Sequence, residues 1–239
     1  MDVRKFLLDY NIEPRKSWDQ LFLQNDSVLE KEIDLADLRG SDTVLEIGAG
    51  FGNLTERLAE KARVIAIERD RRFLPYLKNI KNVVVIHGDA TKVLKEKRTF
   101  LDFNKIVSNI PYSLSKKIIL ELMKHKWEKA VLVVQKEFAD KMSGGSKLSL
   151  LIQDCNDFRI IRNIPGNDFY PAALESSLLL LEQRKTMDDR FWLFLNKIFR
   201  HKNKDIINVV DNCPKHLARK KVHQLTLKEA MEIYEKTSL

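Results

Sequence analysis

The chain has 239 residues, 44% hydrophobic and 32% charged, with 42 Lys and Arg against 34 Asp and Glu for a net charge of +8 and an isoelectric point near 9.3. A chain of that length buries most of its apolar surface without a disulfide or metal staple, and no apolar run approaches the roughly 18 residues of a membrane span, Leu178–Leu181 being strand-sized. The first ten residues show no long apolar core with a small-residue cleavage site, so no secretory leader is expected, and the two distant cysteines, Cys155 and Cys213, fit a reducing, cytoplasmic interior.

Short runs of Val, Ile and Leu at Thr43–Ile47, Arg63–Glu68, Asn82–His87, Lys105–Ser108 and Lys129–Val134 predict buried strands. Asn53–Ala62, Arg71–Lys78 and Ser115–Lys124 lie between them, apolar at helical spacing and charged elsewhere. That alternation predicts an α/β fold, a mostly parallel sheet covered by helices. Phe158–Ile164 and Ser176–Glu182, joined through a Pro-Gly turn, are expected to add a terminal antiparallel pair. The character changes after Lys185. Residues 187–239 hold 11 Lys and Arg against 7 Asp and Glu, or +4, half of the total. Phe191, Phe194, Leu195, Ile198 and Phe199 give one helix an apolar face, and Thr226 with Glu229 predicts the cap of a last one. Two domains follow, residues 1–185 and a small basic helical domain over 186–239. Cys213, His216 and His223 lack a fourth ligand at finger-like spacing, so no metal is expected.

The first chemical feature is Glu46-Ile47-Gly48-Ala49-Gly50-Phe51-Gly52, a strand running into a glycine turn and then a helix. The G-x-G-x-G spacing differs from the dinucleotide fingerprint, whose turn offers amides to a pyrophosphate. Glu68 ends the second strand, where a carboxylate can accept both hydroxyls of a ribose. Asp89, followed by Ala90 after the third strand, can accept from an adenine amino group. Together the three strand ends point to S-adenosylmethionine. The second feature is Ser108-Asn109-Ile110-Pro111-Tyr112 after the fourth strand. The Asn109 oxygen and the Ile110 carbonyl can take the two N–H groups of an exocyclic amine and aim its lone pair at a methyl donor. Pro111 stiffens that turn, and Tyr112 can stack on a base, a contact worth roughly 1–3 kcal/mol.

These stretches, with Lys16-Ser17-Trp18-Asp19-Gln20-Leu21-Phe22-Leu23, Val134-Gln135-Lys136-Glu137-Phe138-Ala139, Phe169-Tyr170-Pro171 and Gln224-Leu225-Thr226, resemble the ribosomal RNA small-subunit adenine N6,N6-dimethyltransferases, in their bacterial and archaeal/eukaryotic branches. The resemblance covers nearly the whole chain. It implies a Rossmann-like class I methyltransferase sheet, S-adenosylmethionine as cofactor, and two methyl transfers to N6 of adenosines near the 3′ end of small-subunit rRNA during ribosome biogenesis. Carried over by position, Leu21, Leu23, Gly48, Gly50, Glu68, Asp89, Ala90 and Asn109 would hold the cofactor. Asn109, Ile110, Pro111, Tyr112 and Phe169 would hold the target adenosine. Phosphate contacts are expected from Lys116, Lys117, Lys136, Lys141, Lys147, Arg200, Lys202, Lys204, Arg219, Lys220 and Lys221. The expected partner is the pre-small ribosomal subunit, met as a monomer, with no membrane. The chain departs from the family at Asp19, where bacterial members tend to have Gly, and at Leu21, often polar. It also has a shorter segment over 141–148 and Ala173 where a second proline is usual. A large-subunit rRNA adenine methyltransferase of the antibiotic-resistance type uses the same fold and N-x-P-Y loop. A non-catalytic assembly factor would need no cofactor crevice, and a nicotinamide oxidoreductase would need the other glycine spacing.

Overall fold

The computed structural model describes residues 2–96 and 101–237. Its strands are β1 (Phe22–Leu23), β2 (Thr43–Ile47), β3 (Arg63–Glu68), β4 (Val83–His87), β5 (Lys105–Asn109), β6 (Lys129–Gln135), β7 (Asn156–Ile164), β8 (Phe169–Tyr170) and β9 (Ser176–Gln183). The helices are α1 (Val3–Asp9), α2 (Asp26–Ala36), α3 (Asn53–Ala59), α4 (Leu74–Leu77), α5 (Ala90–Glu96), α6 (Ser115–Leu122), α7 (Lys136–Ser143), α8 (Lys147–Cys155), α9 (Asp189–Phe199) and α10 (Leu227–Thr237).

Seven strands form one sheet in the order β4-β3-β2-β5-β6-β9-β7. The first five run parallel, and β9 pairs antiparallel with β6 from Lys129↔Glu182 to Gln135↔Ser176. β2, β3 and β6 are buried at nearly every position, as parallel strands covered on both faces must be. β4 and β7, at the two ends of the sheet, leave several residues exposed. The helix expected over 71–78 shrinks to Leu74–Leu77, because the Asp70 carboxylate accepts from the Arg72 backbone N–H and guanidinium and holds that stretch as a turn.

The chain divides into two compact units, Met1–Ala139 with Phe158–Gln183, and Asp140–Asp157 with Arg184–Leu239. This differs from a division at 185/186 in that Asp140–Asp157 groups with the tail. The reason is α8, whose Leu148, Leu150, Leu151 and Ile152 are buried and which packs on α9 and α10. Within this second unit α9 buries Phe191, Leu195 and Ile198, and Phe191 stands edge-on to Tyr234 at 5.2 Å. Thr226 Oγ1 accepts from the Glu229 N–H while a Glu229 oxygen accepts from the Thr226 N–H, the expected capping box of α10. Among the described residues no helix is long and apolar enough to cross a membrane, and no group of His, Cys, Asp and Glu could hold a metal ion.

Candidate active site

β2 and β5 are neighbours, yet the chain reaches β3 and β4 on one side and β6 on the other, so the strand order reverses between them. Open α/β sheets bind ligands outside the carboxyl ends of the strands at such a reversal. The two strands pair only at Val44↔Lys105 and Leu45↔Ile106. Beyond that the ladder is replaced by the Ser108 hydroxyl, which donates to the Ile47 carbonyl at 2.7 Å and accepts from the Ile47 N–H. A cleft lies at this end of the sheet, lined by Trp18, Leu21, Phe22, Gly48, Gly50, Ile67, Glu68, Phe73, Asp89, Ala90, Asn109, Pro111 and Ile118, among others.

The glycine turn is built for close approach rather than for phosphate. Gly48, Gly50 and Gly52 have φ of 75°, 57° and 104°, the left-handed region that side chains disfavour. Gly48 donates its N–H to the Ile67 carbonyl, Gly50 to Glu68 Oε2 and Gly52 to the Ala49 carbonyl. All three glycine amides are thus engaged within the protein and offer no cradle to a pyrophosphate.

Glu68, 6% exposed, accepts from the Gly50 N–H at 2.7 Å and the Asp70 N–H at 2.6 Å, one on each oxygen. Burial raises its pKa, against which these two amide bonds pull. Each oxygen keeps a second lone pair. Next to it, Asp70 is held at about 2: desolvation works against its charge, but Arg72 and Gln20 donate to it and win. Asp89 lies at the start of α5, where Oδ1 accepts from the Thr91 N–H and hydroxyl. Those bonds outweigh desolvation and lower its pKa, leaving Oδ2 without a protein donor among the described residues. Glu46 is 2% exposed and belongs to a smaller cavity behind the turn. Burial pushes its carboxyl up to about 8, the Thr55 hydroxyl pulling down and Glu68 pushing further up.

A carboxyl raised on folding takes up a proton as the chain folds. Its contribution to stability is complete below the ordinary 4.5 and lost as pH rises through about 8. Glu46→Gln is therefore expected to flatten the pH profile of the melting temperature between these limits and to raise Tm at the alkaline end. Thermal melts across that range check this, and an undiminished slope would count against it.

The Asn109–Tyr112 loop faces the glycine turn. A Cβ on Gly48 would stand 3.7 Å from Pro111 Cδ and 3.9 Å from the Asn109 carbonyl oxygen. Ile110 is 2% exposed, with its N–H donated to Val133, and the Pro111 carbonyl accepts from the Ser115 hydroxyl at 3.1 Å. The half-buried Tyr112 has its hydroxyl 2.5 Å from Ser176 Oγ, which fixes the ring. An N-terminal segment spans both sides. Asp19 accepts from the Ser113 N–H at 2.8 Å, Gln20 donates to Asp70 at 2.8 Å, and Trp18 lies between the guanidinium groups of Arg15 and Arg69.

Leu21, Gly48, Gly50, Glu68, Asp89, Ala90, Asn109 and Pro111 are thus brought together. Leu23 is not in this cleft: it is buried, pairs with Phe169 across β1 and β8, and lines the smaller cavity. Phe169, 3% exposed, packs in the main core beside its pairing with Leu23 and is not among the residues lining the cleft. Sequence reasoning met Gln20 and Ser176 only inside longer stretches and gave them no role, and it passed over Asp70 and Arg72, whose polar side chains carry no motif of their own. Of the basic residues, Lys116, Lys117, Lys141, Arg200, Lys202, Lys204, Arg219 and Lys221 are exposed. Lys136 is 2.7 Å from Glu175, Lys220 the same from Glu229, and Lys147 donates to Asn196 over the Trp192 ring.

Residues 11–238 match the family model described as ribosomal RNA adenine dimethylase. A probable ribosomal RNA small subunit methyltransferase A from Pyrococcus furiosus is 35% identical, covering 96% of this chain and 94% of that protein. A dimethyladenosine transferase structure from Plasmodium falciparum superposes with a TM-score of 0.78 at 26% identity, over 91% of this chain and 98% of its own. The 23S rRNA methyltransferase ErmE gives 0.72 at 21% identity, over 91% and 100%, a likeness of fold. The crevice geometry and these likenesses converge, and the chain belongs to the ribosomal RNA adenine dimethylase family.

Proposed function

We propose that the protein transfers methyl groups from S-adenosylmethionine to N6 of adjacent adenosines near the 3′ end of small-subunit rRNA, acting in the cytoplasm as a monomer on the pre-small subunit. The carrying observation is the set of facing groups at the strand reversal: Glu68, Asp89 and a glycine turn whose amides are all engaged on one side, Asn109 and Pro111 of the Asn109–Tyr112 loop on the other. The crevice fits this cofactor. Glu68 has lone pairs to spare for the ribose and Asp89 Oδ2 for the adenine amine. Ile67, Phe73 and Ile118 give the ring an apolar wall, and nothing in the turn asks for a phosphate.

When bound, S-adenosylmethionine supplies a methyl group already activated on a sulfonium. The chain's own residues then have to place the amine. Asn109 and the Ile110 carbonyl accept its two N–H bonds, and Tyr112, fixed by Ser176, offers its ring to the base. Alignment of this kind can supply most of the acceleration, without a strong general base. Mass spectrometry of small-subunit rRNA incubated with enzyme and labelled donor tests the reading; label found only on large-subunit rRNA would overturn it.

The exposed Lys and Arg residues are expected to grip phosphates, whereas the crevice is acidic or neutral. Raising salt from about 50 to 200 mM should weaken RNA binding by orders of magnitude and leave cofactor affinity nearly unchanged. Titrations at both salts check this. A flat RNA response would make the basic residues an ordinary solvated surface.

A further inference from the structure

Methyl transfer as described leaves a second acid unexplained beneath the crevice. Glu32 of α2 is 0% exposed and occupies the helix face of Val28, Leu29 and Ala36, one turn from Val28 and from Ala36. It faces Glu46 and the Asn109 amide. Among the described residues neither of its oxygens, nor buried Asn109 Oδ1, has a partner at full hydrogen-bond geometry, while the nearby Asn109 side chain acts on the carboxyl as a donor would, pulling its pKa down against burial. Glu32 also makes no ion pair among the described residues. α2 packs here on β5 and β6, where an apolar side chain would fill the space more cheaply than an uncompensated acid. A group kept at such cost at the back of the target loop points to a use in that loop.

An amide has an acceptor edge and a donor edge, and its two orientations fill the same space. With Oδ1 turned to Glu32, two acceptors would face each other and the amide would show N–H groups to the crevice, the wrong polarity for an amine. Turned by 180°, Nδ2 donates to Glu32 and Oδ1 faces the crevice. A carboxyl offers an acceptor oxygen whether protonated or not, so the turned state is satisfied either way. Burial, reinforced by Glu46, raises the Glu32 pKa well above the usual glutamate value, which makes Gln a fair stand-in for it.

We propose that Glu32 is a positioning residue for the methyl transfer, holding the Asn109 amide with its nitrogen inward and its oxygen toward the target amine; this rests on the adenine-methyltransferase reading of the crevice. The test compares wild type, Glu32→Leu and Glu32→Gln by thermal melting, S-adenosylmethionine titration and steady-state methylation of small-subunit rRNA. Glu32→Leu should melt at or above the wild-type temperature and bind the donor within about twofold. Its kcat should fall by at least about tenfold with the RNA KM little changed, and Glu32→Gln should keep kcat within about threefold. A merely structural acid would instead lower the melting temperature in proportion to activity, and that result, an unfolded Leu variant included, overturns the proposal. So does a Leu variant with wild-type kcat. A wild type that methylates no small-subunit rRNA would strike the parent reading, whereas an active wild type beside an active Leu variant strikes only the role of Glu32.

Discussion

Asn109→Ala is expected to lower kcat by about a hundredfold or more, the scale on which lost alignment of reacting groups acts, while S-adenosylmethionine affinity and RNA affinity stay within a few-fold. The residue ends β5, and its backbone carbonyl lies against the glycine turn. Its backbone carries the strand, so truncation removes the amide without moving the loop: Ile110 still donates to Val133 and Ser115 to the Pro111 carbonyl. Single-turnover methylation beside equilibrium binding of both substrates measures the split. Unchanged turnover would take Asn109 out of the reaction, and a matching loss of donor affinity would move it to the cofactor side.

Glu68→Ala is the complementary change and is expected to fail differently. It removes the acceptor of the Gly50 and Asp70 amides as well as the proposed ribose acceptor. Donor affinity should fall by roughly a hundredfold, equivalent to about 2.7 kcal/mol, and the melting temperature should drop as two buried amides lose their partner. Saturating donor should restore much of kcat, because the amine is held from the other strand. Calorimetric titration with donor and thermal melts check both parts. Donor affinity within threefold of wild type would show that Glu68 serves only to brace the turn.

The sheet was legible because its strands are β-branched runs with little else in them, and β2, β3, β4, β5, β6 and β9 lie within a residue or so of where the sequence pattern puts them. The glycine turn, Glu68, Asp89 and Asn109 were legible because strand ends carry their chemistry in consecutive residues. Phe169 was not. Its placement depends on a two-residue pairing with Leu23, some 146 positions away, for which no local pattern exists. Asp140–Asp157 was assigned by composition, yet the packing of α8 on α9 and α10 decides its company. Glu32 is the instructive case. The sequence pattern assigned no element to Asp26–Ala36, and only once the helix is in place does the spacing of Glu32 from Val28 and Ala36 mark it as inward-facing.

The parting of β2 from β5 after Leu45 has a consequence for how the enzyme tolerates change. The glycine turn and the target loop hang from β2 and β5, neighbours in a single sheet that also carries Glu68 at the end of β3 and Asp89 just after β4. The gap between them is therefore ruled by backbone and preset before either substrate arrives, with no closure of separate bodies needed to define it. Side-chain replacements around the crevice alter what sits there and how tightly. One residue inserted between Lys105 and Asn109 would do something else: it would turn the amide to the opposite face of the sheet while β3 and β4, with Glu68 and Asp89 at their ends, keep their places.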